Sequence, residues 1–98
     1  MARRSTRRQT CHDGSVRRRA SGLRSNGWSV KADVSGFSRP PVINGSRPDI
    51  YATKGRQRRI VEVETQDTKR RDWQQHRNLR SYAKSHRNTQ FMMRTCKT

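Results

Sequence analysis

Two short runs, Pro48-Asp49-Ile50-Tyr51-Ala52-Thr53 and Arg59-Ile60-Val61-Glu62-Val63-Glu64-Thr65, form the densest concentration of strand-forming residues in the chain. Only Lys54-Gly55-Arg56-Gln57-Arg58 separates them. Branched and aromatic side chains at this density favour extended backbone, and a short polar connection containing Gly joins such runs as a hairpin. The spacing therefore predicts two antiparallel strands over 48–53 and 59–65, around which any fold of this chain has to be built.

The flanking segments supply further elements. Trp28, Val30, Ala32 and Val34 alternate with polar residues, the period-two pattern of a strand with one buried face. Pro40-Pro41 ends it, because proline cannot donate to a sheet ladder, and Asn44-Gly45 supports a turn. After Thr65 the branched residues vanish and a polar stretch to about His86 predicts a helix, with Thr65 or Asp67 as its N-cap. Leu79, Tyr82 and Ala83 share one face of it, with His76 and His86 beside them and Trp73 at the margin, so this face is expected to pack on the sheet. Asn88 closes the helix and residues 91–96 read as a last strand, with methionines suited to an irregular core. At the other end, residues 1–26 form an Arg/Ser-rich arm with eight arginines and one aspartate. Val16, Ala20 and Leu23 predict a short helix at about 15–25, which Gly22 and the serines weaken enough that disorder until nucleic acid binds is the alternative. The expected organisation is a basic arm (1–26) and an α/β core (27–98) in the order (α)βββαβ, a small mixed sheet flanked by helices.

The core has to be thin, since 28% of the 98 residues are hydrophobic and 32% are charged. The net charge of +17, from 24 Lys and Arg against 7 Asp and Glu, opposes compaction unless a polyanion neutralises it. Nucleic acid is the expected partner, ahead of an anionic membrane surface or a merely solubilising charge. No apolar run is long enough to span a bilayer and no apolar signal core follows the N-terminus, so a cytoplasmic protein is expected. Cys11 and Cys96 lack the spacing of a zinc site. A disulfide between them stays open, with a reduced pair the simpler expectation.

Asp49, Glu62 and Glu64 sit in the most apolar stretches of a chain that otherwise avoids negative charge. Strand alternation puts Glu62 and Glu64 on one face, roughly 6–7 Å apart at the backbone. The proposed hairpin brings Asp49 beside them, giving an oxygen cluster suited to Mg²⁺ or Mn²⁺. The alternative is that the three carboxylates pair with Arg47, Arg58 and Arg59 on a solvated face.

Arg47-Pro48-Asp49-Ile50-Tyr51-Ala52 followed by Ile60-Val61-Glu62-Val63-Glu64-Thr65 resembles the active-site element of the PD-(D/E)XK nuclease superfamily. The resemblance implies a restriction-endonuclease-like core in the element order read above, over about residues 15–96. It implies metal ligation by Asp49 and Glu62, with Glu64 at the position where most members carry lysine. It also directs attention to a first-helix acid, for which only Asp13 beside His12 is available outside the expected helix, and to a second-helix glutamine, Gln74 or Gln75. Lys31 is the one candidate for the missing cation, although a solvated lysine is the simpler view of it. The implied activity is metal-dependent hydrolysis of phosphodiester bonds, in DNA more than RNA, with Asp49, Glu62 and Glu64 as catalytic and metal-binding residues, arginines and lysines including Lys69, Arg70, Arg71, Arg77 and Arg80 on the phosphates, and a homodimer as a modest expectation. A non-catalytic basic nucleic-acid binder is the alternative. Trp28, Trp73 and Tyr82 are expected in the core rather than as stacking platforms.

Overall fold

The computed structural model describes residues 6–65 and 73–96. The chain runs α1 (Thr6–Ser25), β1 (Ser29–Ala32), β2 (Ile50–Lys54), β3 (Gln57–Glu64), α2 (Trp73–Ser85) and β4 (Thr89–Thr95). The strands lie in sequence order in one mixed sheet, with β1–β2 and β2–β3 antiparallel and β3–β4 parallel. This is a small α/β domain in which α1 covers one face of the sheet and α2 the other.

Alternation decides which side chain meets which helix. Val61 and Val63 of β3 join Ile50, Ala52, Val30 and Ala32 under Val16 and Ala20 of α1. Ile60 faces the opposite way and packs with Leu79 of α2, Ile43, Tyr51, Tyr82 and Phe91. The hairpin is tighter than the spacing predicts: Lys54 pairs with Gln57, leaving Gly55-Arg56 as a two-residue turn in which Gly55 takes φ 59°. A second tight turn at Asn44-Gly45 closes the bridge between Ile43 and Ser46.

The first helix begins at Thr6 instead of near residue 15, while Val16 and Ala20 of its expected apolar face enter the core. Its early turns carry no apolar stripe; they are held by tertiary contacts, with His12 and Ser15 buried and a Cys11–Cys96 disulfide tying the helix to the end of β4 in place of the expected reduced pair. Its far end is closed by Gly27 at φ 88°, where the Trp28 amide donates to the Leu23 carbonyl and the Gly27 amide to that of Arg24. Those two bonds satisfy carbonyls of the last turn of the helix.

On α2, Leu79 and His76 are buried as expected, whereas Trp73 is 56% exposed and so is not a core residue. Asn88 takes φ 58° just beyond the helix, in the turn that leads into β4. Asp67, Lys69, Arg70 and Arg71, named above for the helix start and for phosphate contact, lie outside the described residues. Among the described residues no helix is long and apolar enough to cross a membrane.

Candidate metal centre

Asp49 immediately precedes β2, and the register that sets Ile50 opposite Val61 brings it beside Glu62 near the end of β3. Glu62 and Glu64 both point to the α2 face, away from Val61 and Val63. They are buried, with 0% and 2% of their surface exposed, so they do not sit on a solvated arginine face. The arginines proposed as their partners are engaged elsewhere: Arg58 donates to the Tyr82 hydroxyl at 3.2 Å, Arg59 lies 4.6 Å over the Trp28 ring, and Arg47 donates to the Pro40 carbonyl.

The beginning of α2 supplies what the carboxylates need. The Gln75 side-chain amide donates to Glu62 Oε1 and, at 3.3 Å, to the Arg47 carbonyl, while the Asp49 backbone amide donates to Glu62 Oε2 at 2.8 Å. His76 Nε2 lies 2.6 Å from Glu64 Oε1. Glu62, Glu64 and His76 thus form a buried group in which one ligand atom from each lies within 4.8 Å of the others, a group able to hold a metal ion.

Asp49 adjoins this group without belonging to its tight set. Its Oδ2 accepts the Val63 amide at 2.8 Å and lies 3.3 Å from His12 Nε2, and His12 Nδ1 is 3.0 Å from Asp13 Oδ1. Both His12 and Asp13 are within α1, not outside the first helix as expected. A polar chain therefore runs from α1 through Asp49 and Glu62 to α2, around the end of the sheet where β3 finishes.

The two adjoining carboxyls are pushed apart in acidity. Burial and then the negative charge of Asp49 raise the Glu62 pKa to about 9, against the opposing pull of Gln75. Burial also pushes Asp49 upward, but the hydrogen bond and charge of His12, the Val63 amide and a hydrogen bond from Glu62 outweigh it, so Asp49 titrates below its ordinary value. Two carboxyls in contact resolve their repulsion by one keeping a proton and the other its charge.

Of the other residues singled out, Gln75 reaches the group and Gln74 does not, since Gln74 bonds Asn78 along the outside of α2. Lys31 is exposed on β1 opposite Tyr51, with β2 between it and the strand that carries Glu62. The sequence offered His76 only as part of a packing face. A histidine next to Gln75 on the face that opposes an E-x-E strand was the available signal, and its strength depends on knowing which strand the helix covers. No family model matches this chain, and neither does any curated protein or solved structure.

Proposed function

We propose that the protein is a divalent-metal-dependent nuclease of the PD-(D/E)XK type, hydrolysing phosphodiester bonds in nucleic acid, with DNA favoured over RNA. The observation that carries this is the buried Glu62, Glu64 and His76 group beside Asp49. The element order, the acids joined across a hairpin and the charge of +17 support it. The donor set fits a divalent cation, because two carboxylates in a dry site are costly without a compensating positive charge. An imidazole nitrogen beside two carboxylates makes the set softer than an all-oxygen site, which favours Mn²⁺ over Mg²⁺. When bound, such an ion supplies Lewis-acid polarisation of a phosphoryl oxygen and acidifies water.

The chain's own residues prepare the site. Gln75 and the Asp49 amide orient both oxygens of Glu62, and His76 orients Glu64, so the acidic side chains are held in defined positions beside one another. Glu64 is a ligand or a general base toward the attacking water. His12 keeps Asp49 ionised and positions it beside Glu62. Exposed arginines draw the polyanion in, and a dimer would present two such sites to a duplex.

A second reading, a non-catalytic nucleic-acid binder on the same scaffold, is favoured by one observation: Glu64 stands where the resemblance calls for lysine, and its carboxylate is tied to His76. Incubating labelled single- and double-stranded DNA and RNA with Mg²⁺ or Mn²⁺ separates the two. Metal-dependent cutting by the wild type that Glu62→Ala abolishes is the expected result. Tight binding without cutting, together with no Mn²⁺ binding by calorimetry, would overturn the nuclease proposal in favour of the binder.

A further inference from the structure

Beside the carboxylate group, between α2 and β4, lies a groove of about 590 Å³ whose wall is basic. Trp73, Arg77, Arg80 and Lys84 recur at i, i+4, i+7 and i+11, which places them along one face of α2, and they line the groove together with His76 and Met93. All four are exposed. Arg80 is held in place, its guanidinium 5.5 Å from the centre of the Phe91 ring and its Nη2 3.9 Å from Met93 Sδ. Among the described residues no acid lines this groove, and Arg77, Arg80 and Lys84 form no salt bridge.

An indole 56% exposed in so small a domain leaves a large apolar face in water. Three cations in line with it fit a polyanion, and the indole fits a planar base. A duplex hides the faces of its bases within its own stack, so only an unpaired segment offers phosphates and a free base face together. His76 belongs both to the groove and to the carboxylate group, so a strand lying along α2 is led to Glu62 and Glu64.

We propose that this groove holds a single-stranded segment of the nucleic acid, one base stacked on Trp73 and the neighbouring phosphates on Arg77, Arg80 and Lys84. The substrate class is then nucleic acid with an unpaired stretch: a free single strand, an overhang or a flap. The purpose of the strand rests on the nuclease reading; its binding does not.

The test is made in EDTA with a short labelled oligothymidylate, following anisotropy and tryptophan fluorescence together. The other tryptophan, Trp28, is buried under Arg59, so quenching reports on Trp73. The oligonucleotide is expected to bind and quench. Trp73→Phe should retain most of the affinity and lose the quenching, and Trp73→Ala should bind about tenfold more weakly with an unchanged circular dichroism spectrum. A duplex of equal length should bind without quenching. Wild-type affinity in Trp73→Ala, or equal quenching by the duplex, would overturn the proposal. Because no metal is present, failure to cut leaves this result intact and counts against the nuclease reading alone.

Discussion

Glu62 keeps its proton at a pH where Asp49, one hydrogen bond away, has lost its own. The native metal-free protein thus holds a proton on Glu62 that the unfolded chain releases above the ordinary value of 4.5, and stability is lost as pH rises from there toward about 9. The slope is at most about 1.4 kcal/mol per pH unit. Asp49 acts in the opposite sense, its contribution present above 3.8 and lost as pH falls. Thermal melts from pH 5 to 9 in EDTA should show Glu62→Gln losing the alkaline decline; an unchanged profile would mean that Glu62 ionises without cost. Replacing His76 by Ala removes the imidazole 2.6 Å from the buried Glu64 carboxylate and should cost about 3 kcal/mol in urea unfolding, together with loss of Mn²⁺ binding. Lys31→Ala, exposed on β1, should stay within about 0.5 kcal/mol. At this scale Glu62 and Glu64 were legible because acids at alternate positions among Val and Ile have few explanations. His76 was not, because a helical wheel gives a face without giving what lies opposite it, and His12 was not, because it fell outside the helix that the apolar spacing marks.

The first strand was legible from its period of two and the next two from their density of branched and aromatic residues, and β1 to β4 all fall within the segments marked as strands, to within a few residues at the ends. The helices were less so. The first half of α1 owes its place to Cys11, His12 and Ser15 meeting residues far along the chain, which no local periodicity records. Cys96→Ser, or reduction, removes a cross-link over 85 residues and should lower stability by about 4 kcal/mol, read as a shifted urea midpoint. Gly27→Ala should cost about 1 kcal/mol, since Gly27 closes α1 at φ 88°, a conformation that resists any Cβ.

For the molecule as a whole, the net charge of +17 makes binding to any nucleic acid steeply dependent on ionic strength. If six phosphates are neutralised, affinity should drop about a thousandfold between 50 and 200 mM salt, and a flat titration would show that the arginines do not carry binding. The sulfur bridge between Cys11 and Cys96 has a second consequence besides firmness. It closes nearly the whole described chain into a ring, with the hairpin tip at Gly55-Arg56 on its circumference. A ring severed at one point opens but does not come apart. A single proteolytic nick at that tip should therefore leave one species on a gel run without thiol and two fragments on a gel run with it, the fragment bearing Asp49 staying tethered to the one bearing Glu62, Glu64 and His76 until the bridge is reduced.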